Sequence, residues 1–511
     1  MNGSSRTQNS VRNSMVGIVV QCAGVLLSFL TRCVFVSALN EEYLGVNGLF
    51  SNILTVLSLA ELGVGTAIIY SLYKPIADKN EEEISALINY YRKAYLIIGV
   101  VITILGVAIS PFLNILIKDT PDIPHLTHIY ILFLANTSVS YLFAYRRALF
   151  TADQREYLLS KYRFFFNVIK AVGQCCILIL SRNFILYLLV QIACTSMENI
   201  YVHFRANRLY PFLKEHRNAK LSKEKVEKIT TDIKALMIYK VGSTALDGTD
   251  NIILSMFVGV IWVGKLSNYT LILSAVAMVA AQAVNAVTAS VGNYIAKEAS
   301  DRYEDLLFKM TYLSFCIYGF SFVALASLLS PFISMVFGTQ YVLNNMEVLV
   351  LSLNFYIFGM MNSIWTFRTT MGLFTYGKYR PLVSAVINIV VSVILARYIG
   401  LIGVLLGTTI TRVLTNVWYD PYIVYKYGMK KKVANYYRKW IYYLILSLSA
   451  LVIVSSISTL FYGSVLLVFI LRCILCVVVF FAVTILMTYK STEYRFLKGI
   501  ILSFKGMLKK F

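Results

Sequence analysis

Apolar residues in this chain come in runs of about 20, the length that carries an α-helix across the hydrocarbon core of a bilayer. Fourteen such runs are marked off by polar turns, over 14–39, 43–72, 94–117, 127–149, 162–181, 184–204, 237–260, 266–293, 308–336, 345–370, 380–397, 400–424, 440–462 and 465–489. The first run, after Ser14, is too long for the core of a signal peptide and lacks a small-residue cleavage site, so it is expected to remain as span 1. The pattern predicts an all-α polytopic membrane protein. Composition agrees: 58% of the 511 residues are hydrophobic and 14% are charged, against about 25% charged in soluble chains.

Charge then orients the spans. With the N-terminus inside, the even-numbered turns are cytoplasmic and hold about 40 of the 47 Lys and Arg. About four remain outside: Lys118, Arg182, Lys265 and Arg397. Both termini are therefore expected in the cytoplasm. The net charge of +22 has this same origin and predicts contact with anionic lipid headgroups, with no role for nucleic acid.

The organisation expected is an N-terminal lobe over 1–204 (spans 1–6), a basic cytoplasmic linker over 205–236, a second lobe over 237–430 (spans 7–12), spans 13–14 over 431–489, and a basic amphipathic tail over 490–511. The lobes echo each other. "EYLGVNGLFSNIL" (42–54) aligns with "IWVGKLSNYTLIL" (261–273), matching Gly45 to Gly264 and Phe50 to Tyr269. "SPF" recurs at 110 and 330, and "LFT" at 149 and 373. A repeat of six spans keeps both copies in one orientation, which predicts two parallel-repeat lobes around a central cavity, an arrangement found in transporters.

Polar residues interrupt several spans at helical spacing. They are Gln21, Ser28 and Arg32 on span 1; Asn47, Ser51, Thr55, Ser58 and Glu61 on span 2; Lys240, Ser243, Asp247, Asp250 and Asn251 on span 7; Gln282, Asn285 and Thr288 on span 8; Asn362, Thr366 and Thr369 beside Arg368 on span 10; and Thr408, Arg412 and Thr415 on span 12. A plain alternative attaches to each. Ser and Thr in such helices often bond their own backbone, Arg368 and Arg412 can snorkel, and Lys240 suits an interfacial anchor. Lys170 and Arg472 have little polar company and read as packing or snorkelling residues.

Arg32, Glu61, Asp247 and Asp250 resist those alternatives. At 1.5 Å per residue, Asp250 and Arg32 lie about 20 and about 27 Å along their spans, and intramembrane ionisable groups usually face a bundle interior or water. A structural ion pair within a lobe is the competing account. The cavity reading takes Arg32, Asn47, Lys240, Gln282, Asn285, Arg368 and Arg412 as substrate-binding candidates. Glu61, Asp247 and Asp250 are ion-coupling candidates, able to bind H⁺ or Na⁺.

Little points to an enzyme. The four histidines form no metal motif, no phosphate-binding loop is present, and the eight cysteines lie inside apolar runs, where they act as small packing residues. Neither a metal nor an organic cofactor is expected. Glu41 and Glu42 could suggest a membrane sugar transferase, but their turn is only a few residues long.

"NGLFSNILTVLSLAELGVGTAIIYSLYKPIADKN", "GTDNIILSMFVG", "TASVGN" and "YIGLIGVLLGTTITRVLTNVWYDPYIVYKY" resemble the polysaccharide-repeat-unit flippases of the multidrug/oligosaccharidyl-lipid/polysaccharide exporter superfamily, over about residues 14–430. That resemblance implies two alternating six-helix lobes and an undecaprenyl-diphosphate-linked oligosaccharide as cargo. It also implies a bacterial cytoplasmic membrane, and glycan polymerase and chain-length proteins as further candidate partners. Flippases of this group line the cavity with cations for the diphosphate, which Arg32 matches in kind and depth. The acidic residues of span 7 make this chain more mixed in charge. A drug exporter of the same superfamily, a flippase for the lipid-linked peptidoglycan precursor, and a scaffold for glycan assembly remain alternatives.

Overall fold

The computed structural model describes residues 6–61, 64–118, 121–227, 229–231, 233, 248–297, 303–373, 376–377 and 379–499; for 6–15, 59–60, 66 and 283–297 it describes the backbone alone. Among the described residues every regular element is helical. Among the described residues, ten helices are long and apolar enough to cross a membrane, or eleven if one bent pair is counted as a span.

The helices begin where local chemistry lets them. After α1 (Arg6–Ala38), the Asn40 side chain accepts the Tyr43 amide at 3.3 Å and opens α2 (Glu41–Leu57). Glu41 and Glu42 fall in its first turn, where a negative charge meets the positive end of the helix dipole. That placement accounts for the acidic pair. Asn80 caps α4 (Glu81–Leu116) in the same way, ahead of three glutamates.

Several expected spans are not single rods. The second is interrupted: α2 ends in a tight turn over Ser58–Glu61, and α3 (Val64–Ala77) follows. The fourth bends by 45° between α5 (Leu126–Tyr141) and α6 (Ala144–Ala152). α7 (Glu156–Ser181) and α8 (Phe184–Leu209) are continuous. For the seventh, α9 (Asp250–Phe257) is described, and 234–247 lie outside the described residues. α10 (Val260–Lys297), α11 (Tyr303–Val336), α12 (Asn345–Met360) and α13 (Asn362–Thr370) come next. The count of fourteen is therefore not established, although the helical class is.

The stretch α14 (Arg380–Met429) runs on for 50 residues, about 75 Å if it were straight, and it is not straight. Ile399 leaves helical geometry and Gly400 takes φ +61°, a left-handed conformation that glycine adopts without penalty. The chain doubles back there. A Cβ on Gly403 would lie 2.3 Å from the Leu395 carbonyl oxygen, and Asn388 donates to the Thr408 hydroxyl at 3.1 Å. The two expected runs, 380–397 and 400–424, are thus antiparallel arms. α15 (Ala434–Ser458) and α16 (Val465–Thr488) close the chain, and 492–499 are helical beyond them.

Two compact units form, Met1–Gly264 and Lys265–Phe511. In the first, α9 packs on α2 and reaches the end of α4, where Ser255 donates its hydroxyl to the Leu116 carbonyl at 2.7 Å. Phe50 is fully buried there between Tyr130 and Phe133. In the second unit Tyr269 is equally buried, and its hydroxyl accepts the Leu343 amide at 2.9 Å. These two aromatics, aligned by the sequence repeat, each seal the core of their own unit. The second unit's core is aromatic throughout, with Phe315 stacked on Tyr443 at 4.6 Å.

The aligned glycines make a close backbone approach. A Cβ on Gly45 would sit 2.1 Å from the Val260 carbonyl oxygen, and one on Gly264 2.8 Å from the Gly45 nitrogen. Neither obstacle is the movable tip of a side chain. Gly45→Ala is expected to cost about 1–3 kcal/mol, read as a lower midpoint of thermal unfolding in detergent. Gly17→Ala, with nothing within 4 Å of the added carbon, should leave the midpoint unchanged.

Candidate functional site

Four helices of the first unit enclose a polar cavity of about 250 Å³. From α1, the face Gly24, Leu27, Ser28, Thr31, Arg32 and Phe35 lines it; from α7, Asn167, Lys170, Ala171 and Gln174; from α8, Tyr187 and Gln191; from α2, Asn47. Each set recurs at three- and four-residue steps, the spacing that stacks side chains on one side of a helix.

The walls are fixed by specific contacts. Gln174 is buried, and its amide nitrogen lies 3.4 Å from both the Tyr187 carbonyl and the Gln191 side-chain oxygen, bridging α7 to α8. Thr31 returns its hydroxyl to the Leu27 carbonyl at 2.9 Å. One end of the wall is aromatic, where Phe35 meets Phe184 and Tyr187 edge-on at 5.8 and 5.5 Å. Among the described residues the lining therefore holds a guanidinium, an ammonium and four carboxamides, and no carboxylate. In a medium of low dielectric such a surface attracts an anion strongly, and a guanidinium can grip phosphate oxygens in pairs.

Of the candidates named from sequence, this cavity brings together Arg32 and Asn47. Glu61 is not in its lining. It lies half-buried at the end of the turn that breaks the second span, accepting the Tyr95 hydroxyl at 3.2 Å. Asp250 is half-buried as the first residue of α9. Lys240 and Asp247 lie outside the described residues, as does the side chain of Asn285. Gln282 is exposed on α10.

The two arginines of the second unit are held by protein groups. Arg412 donates to the Asn354 carbonyl at 2.9 Å and lies over the Phe358 ring. Arg368 is buried and pairs with Asp420 at 2.7 Å, while its other nitrogens reach the Leu373 and Tyr376 carbonyls at 3.4 and 2.5 Å. Asp420, fully buried, also takes Arg380 at 2.9 Å and the Trp365 indole at 2.9 Å. Among hydroxyls, Ser51, Thr55, Ser58, Thr369 and Thr415 all return to a carbonyl one turn back, as the plain account of membrane Ser and Thr holds.

Lys170 corrects the sequence reading, which set it aside as a packing or snorkelling residue. It lines the cavity. Asn167, Gln174 and Gln191 were passed over as well. The signal was present, because Asn167, Lys170 and Gln174 repeat at steps of three and four along α7. It becomes legible once α7 is known to face Arg32.

Residues 18–150 match the MatE family model. The match covers about a quarter of the chain. Among solved structures, the lipid II flippase MurJ in an inward closed conformation aligns at TM-score 0.66 and 13% identity, covering 92% of this chain and 98% of that one. An inward-facing multidrug resistance MATE family transporter aligns at 0.60 and 15%, covering 79% and 96%. A superfamily transporter from Pyrococcus furiosus, described as having a binding pocket of reversed polarity, aligns at 0.54 and 16%, covering 84% and 98%. At such identities the likeness is one of fold. No curated protein matches the sequence.

Asp420 supplies a stability test. Asp420→Ala would leave two arginines facing each other in a buried site, a loss of about 3–5 kcal/mol. Arg412→Ala removes a carbonyl contact and a ring contact. The expected result is a large fall in the thermal midpoint for the first variant and a small one for the second, measured by scanning fluorimetry in detergent.

Proposed function

We propose that this protein is a flippase that moves an undecaprenyl-diphosphate-linked oligosaccharide from the cytoplasmic to the outer leaflet of a bacterial membrane by alternating access, for surface-polysaccharide synthesis. The observation that carries this reading is the lining of the first-unit cavity, with Arg32 and Lys170 among carboxamides and no carboxylate. A diphosphate needs cations, and the sugars beside it need paired donors and acceptors, which Asn47, Asn167, Gln174 and Gln191 provide. A cavity built for cationic drugs would carry the opposite charge. The positive-inside bias supports cytoplasmic termini and linker.

A second cargo has its own support. The lipid II flippase MurJ shares this fold over nearly its whole length, and a lipid-linked peptidoglycan precursor offers the same combination of anionic linkage and polar sugars. Coupling belongs to the same proposal. Glu61 sits at the break of the second span beside the Tyr95 hydroxyl, and with Asp247 and Asp250 it is a candidate to bind H⁺ or Na⁺.

Reconstituted protein should move a fluorescent polyprenyl-diphosphate oligosaccharide across proteoliposomes. Arg32→Ala and Lys170→Ala should each lower the rate about 10- to 100-fold, the worth of one charge-assisted contact. Arg32→Lys should recover part of it, since an ammonium keeps the charge but loses the paired grip. Full activity in both alanine variants would remove the cavity from the mechanism. Separately, collapsing an imposed pH or Na⁺ gradient should slow transport, and Glu61→Gln should blunt that dependence. A rate indifferent to both gradients would end the coupling role.

A further inference from the structure

The break in the second span is held from one side by α4. The tight turn Ser58–Glu61 ends α2, and α3 starts at Val64. Two tyrosines of α4, Tyr91 and Tyr95, stand four residues apart, which puts them one turn apart on one face. Both reach the broken span. Tyr95 donates its hydroxyl to the Glu61 carboxylate at 3.2 Å, and Tyr91 donates to the Ser71 hydroxyl on α3 at 3.4 Å. Glu61 is half-buried, whereas both tyrosines are buried.

The Tyr95 hydroxyl has little freedom to leave. Its ring lies against Tyr141 at the end of α5, with centroids 6.4 Å and planes 28° apart. Gly65 of α3 leaves room for the oxygen, because a Cβ there would sit 3.2 Å from it. The hydroxyl thus stands between Glu61, before the break, and Gly65, after it.

The company of Glu61 differs in kind from that of the second unit's buried acid. Asp420 receives two arginines and an indole and is closed off. Glu61 instead meets neutral phenols, Tyr95 through its hydrogen bond and Tyr141 beside it. With Tyr91 behind Tyr95, these are the titratable groups around it among the described residues. A neutral donor favours the ionised carboxylate by one hydrogen bond and does not fix its charge as a cation would, so a proton can come and go.

We propose that Tyr95 is a positioning residue for ion coupling: its hydroxyl holds the Glu61 carboxylate at the break and sets the pH range over which Glu61 exchanges the coupling proton. While Glu61 is ionised the bond is charge-assisted and ties α4 firmly to the break. A proton moving from water onto the carboxylate weakens that tie, and Tyr95 keeps its own proton throughout. The charge on Glu61 is thereby felt in how firmly the broken span is held. This inference rests on the proposed reading of Glu61 as an ion-coupling residue, with H⁺ as the ion.

The test measures flipping of a fluorescent polyprenyl-diphosphate oligosaccharide by the reconstituted full chain, over a pH series at a fixed pH difference. The wild-type profile should have a midpoint, and Glu61→Gln should flatten it. Tyr95→Phe keeps the ring and removes the donor. That loss disfavours the ionised carboxylate, so the midpoint should move up by about one pH unit, the worth of one hydrogen bond to a charged group. Gly65→Ala crowds the oxygen and spares the ring, and should move the midpoint the same way by less. Tyr91→Phe removes the hydroxyl one turn away and should leave the midpoint in place. Infrared spectroscopy of the Glu61 carboxylic C=O stretch in nanodiscs, assigned by its loss in Glu61→Gln, should give the same shifts and needs no cargo.

A Tyr95 that served only packing would lower the rate at every pH and leave the midpoint where it was. That result, or a midpoint that moves down in Tyr95→Phe, would overturn the assignment. A wild-type profile that survives Glu61→Gln, or transport driven by Na⁺ alone, would instead remove the coupling role beneath it.

Discussion

An ionised side chain in hydrocarbon must find an opposite charge, a set of hydrogen-bond partners or water, and this requirement organises the interior of both units. Two solutions recur. In the second unit, Asp420 is closed off completely, with Arg368, Arg380 and the Trp365 indole converging on one carboxylate. In the first, Arg32 and Lys170 stand on the wall of a cavity beside four carboxamides and the side chains of Ser28, Thr31 and Tyr187. The first arrangement supports the protein's own structure. The second leaves positive charge where an incoming anion can meet it. Charge alone therefore does not mark function; what matters is whether the charged group is closed off in the protein or lines a cavity.

That distinction sets how much could be read from the sequence. The helical class was legible because bilayer thickness sets a run length that composition cannot disguise. Breaks were legible in part: the boundary between the runs 380–397 and 400–424 falls where Gly400 reverses α14, but the tight turn over Ser58–Glu61 in the second span was not, because hydropathy continues through it. The candidate site was half legible. Stripes identify polar faces, but a stripe does not say which helix it will meet. Arg368 looked free because its partner, Asp420, stands 52 residues away in sequence. Lys170 looked isolated because its company, Arg32 and Gln191, comes from α1 and α8. Pairing across helices is a tertiary fact, and single-helix periodicity carries no trace of it.

The repeat carried further than its weak sequence signal suggested. Phe50 and Tyr269 are both fully buried sealing aromatics, and Gly45 and Gly264 meet where two helix backbones approach too closely for any Cβ. A constraint on backbone contact is passed to both copies of a repeat and admits one residue, so glycine persists where most side chains drift. Large buried aromatics drift more freely, as Phe against Tyr illustrates. In the second unit the extra hydroxyl is used, accepting the Leu343 amide.

The sign of the first-unit cavity bears most directly on the choice among cargoes. The solved structures that share this fold include a lipid II flippase and multidrug transporters, so the fold does not discriminate between them. The lining does. A cationic drug entering beside Arg32 and Lys170 would meet two like charges in a setting of low dielectric, and the described lining holds no carboxylate to attract it. An anionic lipid linkage would meet two attractive charges and donors from four amides. Of the carboxylates that could argue for a cationic cargo, Glu61 and Asp250 are absent from that wall, and Asp247 lies outside the described residues. Glu61 is occupied with Tyr95 where the second span breaks. Positive charge at the cavity and acidic groups at the helix break and helix start are thus separated in space, as they would be if one set held the headgroup and the other sensed an ion.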